Sequence, residues 1–346
     1  MSKYSIQVMV TRRCPLACPY CYVQKTLQDM DAHVLRASVD FINSIVPRNA
    51  VLNLNLTGGE PFLRQDIIIS LVRRIWNMCV SKSCLLRAYV NTSAYLPAKL
   101  STLLTLNSLN VSGMRSWVEI SLNGPEHIND YHRVLPGGFG TYRASYGHAK
   151  QMLNYVPVFI RTVLPPVAAE HLDDYLIWFE RRFREGFWLA EVGTAIGYFS
   201  YSDDFAKFYS ELVDELLKLI ADLYLNGQFI LWRTVAENAL FSQSIERTTE
   251  PVEYLPCAAG KRRFLIDVDG MVYYCTMFRE FAPESGKIGS VFDGVTLSPL
   301  RAPCPLSVCK SGSGAITNMR KDYLLLKKIL GKDLFRAYLN DAKRWV

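Results

Sequence analysis

Short apolar runs alternate with amphipathic stretches from Ile6 to about Gly197. The runs are rich in Val, Ile, Leu and aromatic residues, which favours strands, whereas the stretches between them repeat apolar residues at helical spacing. The predicted strands are Tyr4–Val10, Val51–Thr57, Leu85–Asn91, Trp117–Leu122, Val156–Leu164 and Phe187–Ile196. The predicted helices are Asp31–Val46, Asp66–Met78, Ala98–Leu109, Gly140–Leu153 and Ala168–Phe183.

Strands that alternate with helices are joined by right-handed crossovers into a parallel sheet. The six strands therefore predict an α/β fold, a partial (β/α)6 barrel smaller than the eight-unit form. Functional residues of such sheets gather at the carboxyl ends of the strands. Side chains that directly follow the predicted strands are therefore the first candidates for a functional site.

The pattern changes after a long predicted helix, Asp203–Leu225, which Gly227 ends. Two short strands around Asp269-Gly270 predict a β-hairpin, and an apolar stripe after Asp322 predicts one or two closing helices. We therefore divide the chain into four parts. They are the barrel, 1–227, a connector, 228–253, a small hairpin and helix domain, 254–315, and a carboxyl-terminal helical segment, 316–346.

Composition excludes several classes of protein. Half of the residues are hydrophobic and 21% are charged, as in globular domains, and no run approaches the roughly 18 apolar residues of a membrane span. The net charge of +7 is scattered along the chain, so we expect neither nucleic acid nor a membrane as a partner. Nine cysteines without a secretion signal favour a cytoplasmic protein over a secreted disulfide framework.

Three of the cysteines lie close together directly after the first predicted strand. Cys14, Cys18 and Cys21 follow a Cys-x3-Cys-x2-Cys spacing. Three thiolates can face one metal centre, but they cannot alone complete a four-thiolate zinc or iron–sulfur site. One coordination position is therefore left open, which is typical of metal centres that perform chemistry. Three unrelated core cysteines are the alternative interpretation.

This cysteine loop resembles that of the radical S-adenosylmethionine enzymes, including the aromatic Tyr20 before the third cysteine. The resemblance implies that Cys14, Cys18 and Cys21 bind three irons of a [4Fe-4S] cluster, and that S-adenosylmethionine chelates the fourth. Reductive cleavage of this cofactor yields a 5′-deoxyadenosyl radical, which abstracts a hydrogen atom from the substrate. The resemblance also implies an electron donor such as flavodoxin or ferredoxin.

The segment after the second strand, Gly58-Gly59-Glu60, matches the Gly-Gly-Glu segment of the same family. Glycines allow a backbone edge to come close to a ligand, and a carboxylate can pair with an ammonium group. By resemblance, the segment holds the amino group of S-adenosylmethionine. An ordinary strand-to-helix turn is the alternative.

A third segment, Ser121-Leu-Asn123-Gly-Pro, resembles the family's Ser-x-Asp-Gly-Pro, with Asn123 in place of the usual Asp. By resemblance, Ser121 contacts the ribose or methionine part of the cofactor, and Arg133 contacts its carboxylate. A turn serine and a surface cation are the alternatives. The departure at Asn123 argues against an acid or base role there.

Arg161 lies between apolar residues of the fifth predicted strand. If it faces inward it needs an anion, either the cofactor carboxylate, which makes it a candidate cofactor-binding residue, or the substrate. Glu119 or Glu191 inside the barrel is the alternative partner. Arg233 and Glu237 are four residues apart, and we expect them to pair on a helix surface.

A second set of cysteines, Cys257, Cys275, Cys304 and Cys309, lies in the last part of the chain. Four thiolates are a complete metal set, and their spacing alone leaves zinc open. Cys-x-x-Gly, Asp-Gly, a cysteine after the hairpin and Ile-Gly-x-Val resemble the SPASM/Twitch extension of the same family. The resemblance implies one auxiliary [4Fe-4S] cluster, although the Cys304-x4-Cys309 spacing departs from commoner patterns.

The resemblance implies an oxidoreductase or maturase that acts on one of two substrate classes. The first is a peptide, whose side chain or backbone is oxidised, crosslinked or epimerised. The second is a small polar metabolite, such as an amino sugar, that is dehydrogenated. A non-catalytic metal-binding or electron-transfer protein is a third interpretation, and it predicts no cleavage of S-adenosylmethionine. No residue of the chain is singled out as catalytic.

Overall fold

The computed structural model describes residues 1–194, 202–237, 262–296 and 313–345. Within these residues a ten-stranded sheet has the order β10-β9-β8-β7-β1-β2-β3-β4-β5-β6. The strands are β1 (Lys3–Thr11), β2 (Val51–Gly58), β3 (Leu85–Thr92), β4 (Arg115–Ser121), β5 (Val158–Leu164), β6 (Trp188–Thr194), β7 (Arg263–Ile266), β8 (Met271–Tyr273), β9 (Lys287–Ser290) and β10 (Gly294–Val295). The helices are α1 (Ala32–Ile45), α2 (Gln65–Ser81), α3 (Leu100–Val111), α4 (Glu126–His132), α5 (Tyr142–Met152), α6 (Leu172–Arg184), α7 (Asp203–Leu225), α8 (Thr276–Phe281), α9 (Pro283–Gly286) and α10 (Ser313–Ala342).

Strands β1 to β6 pair in parallel, each with the next along the chain. The α/β class and the parallel sheet predicted from the sequence are therefore confirmed. The strand bounds lie within a few residues of the predicted ones, except that the predicted end of the sixth strand, Ile196, lies outside the described residues. Helix α4 was not predicted, because its seven residues are too few to show a periodic apolar face. Among the described residues, no helix is both long and apolar enough to cross a membrane.

The two faces of the sheet carry different side chains, since successive residues of a strand point to opposite sides. On one face, residues such as Leu54 and Ile120 pack with the helices in the main core. On the other, Trp117 and Phe159 form a separate apolar cluster, against which Trp345 packs after α10. This inner cluster lies near the ends where β4 and β5 begin. The candidate functional residues follow the opposite, carboxyl ends of the strands.

The carboxyl-terminal strands continue the same sheet. Strand β7 pairs in parallel with β1, from Ser5 opposite Arg263 to Val8 opposite Ile266. Strands β7 and β8 are antiparallel, and Gly270 supplies the positive φ of +83° that their turn needs. The predicted hairpin is thus confirmed, and β1 lies between β2 and β7. The division of the chain at residues 227, 253 and 315 stays a prediction.

Helix α7 begins and ends as its sequence indicates. The side chain of Ser202 accepts a hydrogen bond from the backbone of Phe205, and Gly227 follows the helix with a φ of +82°. Helix α10 is kinked at Gly331, whose backbone is not helical. Its Tyr338 hydroxyl donates to the carbonyl of Ile230 at 3.1 Å, so the end of the chain is attached to the segment after α7.

Candidate active site

The cysteine loop follows β1, as the sequence predicts. Cys14, Cys18 and Cys21 are half-buried, and none is in a disulfide. Within the loop, the backbone N–H of Cys21 donates to the carbonyl of Cys18 at 3.2 Å, and Lys25 Nζ donates to the carbonyl of Leu16 at 2.5 Å. Three thiols are therefore brought to one loop at the carboxyl end of a strand inside the sheet.

Burial favours the neutral form of two thiols of this loop, Cys14 and Cys21. Burial raises the pKa of Cys14 to about 11 and also raises the pKa of Cys21. The charge of Cys18 also raises both pKa values, because thiolates on one loop repel one another. A metal centre relieves such repulsion and releases the protons on binding. Three sulfur donors fit an iron–sulfur cluster or zinc, with one position left for another ligand.

Tyr20 connects the cysteine loop to the segment after β4. Its buried hydroxyl accepts hydrogen bonds from Asn123 Nδ2 at 2.6 Å and from Arg133 Nη1 at 2.9 Å. An Asp at position 123 could not donate in this way, so the departure from the family pattern makes this residue a hydrogen-bond donor that orients Tyr20. Burial raises the pKa of Tyr20, so the phenol stays protonated at neutral pH.

Arg133 follows α4 and is buried, with 8% of its surface exposed, so the interpretation as a surface cation is wrong. Burial acts against its charge, but Tyr20, Cys18 and Cys14 hold its pKa above the usual value. Among the described residues no carboxylate pairs with it, and its Nε lacks a hydrogen-bond partner. A buried cation without a carboxylate is costly. The arrangement therefore fits an anionic ligand group beside the three thiols.

Gly58 and Gly59 lie where the end of β2 crosses the base of the cysteine loop. The backbone N–H of Gly59 donates to the carbonyl of Thr11 at 2.9 Å, and that of Glu60 donates to the carbonyl of Arg13 at 2.8 Å. A Cβ atom on Gly58 would overlap the Thr11 carbonyl, and one on Gly59 the Arg13 carbonyl. The close approach that requires glycine is thus to protein backbone, and binding of a cofactor by this segment stays a prediction.

Glu60 is fully buried, and its carboxylate is occupied by protein donors. Oε1 accepts from the backbone of Phe62 at 3.0 Å and from Thr92 Oγ1 at 2.6 Å. Oε2 accepts from the backbone of Ser93 at 2.9 Å and from the Ser93 hydroxyl. The carboxylate therefore attaches the end of β2 to the end of β3, and its pairing with an ammonium group stays a prediction.

Arg161 and Ser121 are neighbours in the register of β5 and β4, near the same ends of the strands. Arg161 Nη2 pairs with Glu191 Oε2 at 2.8 Å, and its Nε is 3.9 Å from Glu119 Oε2. The ion pair inside the barrel, one of the two arrangements expected from the sequence, is thus the one observed. Cofactor binding by Ser121 and Arg161 stays a prediction.

Glu119 is buried on the inner face and contacts Trp117, Arg161 and Arg233. The sequence indicated its pairing with Arg161 but not its contact with Arg233. Its Oε1 lies 3.1 Å from Arg233 Nη2 and accepts from the Trp117 indole at 3.0 Å. The predicted surface pair of Arg233 with Glu237 is wrong, because Arg233 turns to the buried carboxylate and Glu237 lies 3.9 Å from Lys3 instead. The signal was a carboxylate, Glu119, between the apolar residues Val118 and Ile120 of a predicted strand.

The second cysteine set falls mostly on residues that the structure does not describe. Cys257, Cys304 and Cys309 lie outside the described residues, whereas half-buried Cys275 directly precedes α8. The auxiliary ligand set therefore stays a prediction. Cys79 and Cys84 are buried at the end where β3 begins, away from the cysteine loop, which agrees with a structural role.

Comparison with known proteins gives matches in both sequence and fold. Residues 6–117, which include the cysteine loop, match the family of 4Fe-4S single cluster domains. The chain is 39% identical over 59 residues to a PqqA peptide cyclase of Methylobacterium nodulans, which covers 17% of this chain and 16% of that protein. It is 33% identical over 73 residues to the PqqA peptide cyclase of Gluconobacter oxydans, 20% of each chain. The matched part thus spans a fifth or less of these relatives.

Solved structures share the fold over a much larger part of the chain. Native anSMEcpe with bound AdoMet and Cp18Cys peptide has a TM-score of 0.70 at 17% identity and covers 99% of both chains. Streptococcus suis SuiB bound to S-adenosylmethionine has a TM-score of 0.59 at 14% identity, over 88% of this chain and 67% of that chain. In sequence around the cysteine loop and in fold over most of its length, this chain is thus similar to radical S-adenosylmethionine enzymes. The recognition made from the sequence, with a SPASM/Twitch-type carboxyl-terminal region, is confirmed.

Proposed function

We propose that this radical S-adenosylmethionine protein is an enzyme that binds a [4Fe-4S] cluster on Cys14, Cys18 and Cys21, cleaves S-adenosylmethionine and modifies a peptide. When bound, the cluster and S-adenosylmethionine supply the one-electron and hydrogen-atom chemistry of the reaction. The chain contributes the position of both groups, the charges around them and a surface that limits access of water.

The single observation that carries this proposal is the position of Arg133. It is buried next to the thiols of Cys14 and Cys18 and has no carboxylate partner among the described residues. S-adenosylmethionine has a carboxylate of the required charge, and a guanidinium binds carboxylates well. The hydroxyl of Tyr20 holds the guanidinium in place, so the ligand meets a group that is already oriented.

Other residues maintain the shape of the site. Glu60 holds the ends of β2 and β3 together through the hydrogen bonds of its carboxylate. Arg161 and Glu191 form an ion pair on the inner face, where a substrate amide would find both a donor and an acceptor. Trp117 and Phe159 close the inner face below this pair, which favours a protected site at the carboxyl ends of the strands.

A peptide substrate is supported by the names of the similar proteins. PqqA peptide cyclase is named for a peptide, anSMEcpe was solved with the Cp18Cys and Kp18Cys peptides, and SuiB with its precursor peptide SuiA. Oxidation, crosslinking and epimerisation are three forms that the modification could take. A small polar metabolite, such as an amino sugar, is the competing substrate class.

The partner proteins and the second cluster also belong to this proposal. A flavodoxin or ferredoxin would supply electrons, and a net charge of +7 favours the approach of an acidic carrier. The four later cysteines would hold an auxiliary [4Fe-4S] cluster. A cytoplasmic location, expected from the cysteine content, keeps these thiols reduced.

The first experiment counts iron and sulfide in anaerobically reconstituted protein and measures 5′-deoxyadenosine formed from S-adenosylmethionine after reduction. We expect about eight irons in the wild type, about four after Cys14, Cys18 and Cys21 are changed to Ala, and no 5′-deoxyadenosine in that variant. Cys79→Ala is the matched control, because this buried cysteine lies away from the loop. Retention of 5′-deoxyadenosine formation by the triple variant would contradict the proposal.

A second experiment separates the two substrate classes. The reduced enzyme is incubated with deuterated short peptides or with deuterated amino sugars, and the deuterium in 5′-deoxyadenosine is measured by mass spectrometry. Deuterium transfer from a peptide supports the proposal. Transfer from the sugars alone would contradict the peptide substrate and favour a small metabolite, without affecting the cluster assignment.

A further inference from the structure

Four charged side chains meet where the cysteine loop contacts the carboxyl-terminal strands, and all but Arg279, which is 17% exposed, are buried. Arg12 donates from Nε to Asp267 Oδ1 at 3.1 Å and from Nη2 to Asp267 Oδ2 at 2.7 Å. Its Nη2 also donates to Glu280 Oε1 at 3.1 Å, and Arg279 Nε donates to Asp267 Oδ2 at 2.5 Å. We call this group of Arg12, Asp267, Arg279 and Glu280 the loop clamp.

The loop clamp holds both ends of the cysteine loop. Arg12 precedes Cys14 by two residues, and Gln24 follows Cys21 by three. The Gln24 carbonyl accepts from Arg12 Nη1 at 3.0 Å, and its backbone N–H donates to Glu280 Oε2 at 2.9 Å. Because the two ends are attached to the same group of charges, the clamp fixes the base from which the three thiols project.

The carboxylates of the clamp come from the opposite end of the chain. Asp267 lies in the turn between β7 and β8, and Glu280 lies on α8, which begins directly after Cys275. Two cations and two anions balance in charge, and the side chains of Arg12, Asp267 and Glu280 are each 1% exposed or less. A buried ion network is weak evidence for stability as such. The bidentate geometry of an arginine fork is suited to fixing orientation.

We propose that the loop clamp positions the cysteine loop for its cluster, and that retention of this cluster therefore depends on β7, β8 and α8. Arg12 and Glu280 act as positioning residues, since they reach the cluster only through the backbone on either side of the cysteines. The inference rests on the proposed function, because it requires a cluster on Cys14, Cys18 and Cys21. Groups that hold metal ligands in place typically change metal retention by about 10- to 100-fold when they are lost.

The test compares Arg12→Lys with Arg182→Lys in the full-length, reconstituted protein. Arg182 is a suitable control because it is also buried and pairs with a carboxylate, Glu185, at 3.0 Å, but it lies on the outer helix α6. The rate of iron release to a chelator is measured, and Cys14→Ala identifies the iron that belongs to the loop. We expect Arg12→Lys to release this iron about 10- to 100-fold faster, and Arg182→Lys to behave as the wild type.

A second variant, Glu280→Gln, gives a readout that needs no cluster. It leaves the pair of Arg12 with Asp267 in place and removes the charged acceptor of the Gln24 N–H. Hydrogen exchange of the metal-free protein should become faster over residues 12–24, with no change in the strands β2 to β5. If Arg12→Lys fails to fold, exchange and iron release in Glu280→Gln decide the question.

Two results would overturn the inference in distinguishable ways. Equal iron release from Arg12→Lys and Arg182→Lys, with unchanged exchange in Glu280→Gln, would make the clamp a purely structural network and leave the proposed function intact. A wild-type protein without iron that depends on Cys14 would remove the proposed function, and the inference with it.

Discussion

Two buried arginines donate hydrogen bonds to the cysteine loop or its ends, and they differ in their other partners. Arg12 is 1% exposed and makes three hydrogen bonds to the carboxylates of Asp267 and Glu280. Arg133 is 8% exposed and donates to the Tyr20 hydroxyl, with no carboxylate among the described residues. Residue type and burial are nearly the same, so the difference in pairing is what distinguishes the structural role of Arg12 from the ligand-binding role that we propose for Arg133.

The largest expected effect is the loss of the paired arginine. Arg12→Met leaves two buried carboxylates with Arg279 as their remaining cation, and we expect the free energy of unfolding to fall by about 3–5 kcal/mol. Urea unfolding of the metal-free protein measures this loss of stability, and Arg182→Met is the control for removing a buried arginine. A loss below about 1 kcal/mol, the size of an exposed pair, would show that the clamp contributes little to folding.

Loss of Arg133, which has no carboxylate partner among the described residues, should affect ligand binding instead of the fold. Arg133→Met removes a charged hydrogen-bond donor worth about 1.5–3 kcal/mol, so we expect S-adenosylmethionine to bind the reconstituted protein about 10- to 100-fold more weakly. The free energy of unfolding should stay the same or rise, because a buried charge without a carboxylate is removed. The opposite outcome, a lower free energy of unfolding with unchanged binding of S-adenosylmethionine, would mean that Arg133 has a structural role like that of Arg12.

The glycine junction between β2 and the cysteine loop is expected to have an intermediate effect. In Gly59→Ala the new Cβ meets the backbone of Arg13, and such overpacking costs about 1–3 kcal/mol of unfolding free energy. Thermal and urea unfolding measure the cost. Gly147→Ala is the matched control, because a Cβ at this helical position meets nothing within 4 Å. Equal stability of the two variants would mean that the loop can shift away from β2.

The smallest effect is expected from removing one hydroxyl group. Tyr20→Phe leaves Asn123 Nδ2 and Arg133 Nη1 without their shared acceptor, which should cost about 1 kcal/mol. Binding of S-adenosylmethionine should weaken less than in Arg133→Met, since the guanidinium is still present. Tyr131→Phe, at a residue that is 74% exposed, should change neither property. A Tyr20→Phe effect as large as that of Arg133→Met would instead make the phenol a direct ligand contact.

Local patterns were sufficient to predict the elements of the barrel. The apolar runs predict β1 to β6 closely, and Asp31, the predicted start of the first helix, accepts hydrogen bonds from His33 and Val34 as its cap. The place of the cysteine loop after β1 follows from the same patterns. Each of these features depends on residues that are near one another in the chain, which is why one sequence is enough to reveal them.

Contacts between distant parts of the chain were not predictable in the same way. Arg12 and Asp267 are 255 positions apart, and no local pattern in the sequence connects them. Gly58 and Gly59 were identified for a ligand, but in the structure they make room for Thr11 and Arg13, because a tight backbone crossing and a ligand site need the same residue type.

The pairing of β1 with β7 has a consequence for synthesis. Ser5 and its partner Arg263 are far apart in the chain, so Ser5 leaves the ribosome long before Arg263 does. Until then one edge of β1 is unpaired, which exposes the nascent chain to association with other strands. The many contacts between distant residues also slow folding. A cluster loaded before β7 has emerged would meet an incomplete sheet, so we expect productive loading only after β7 has paired with β1.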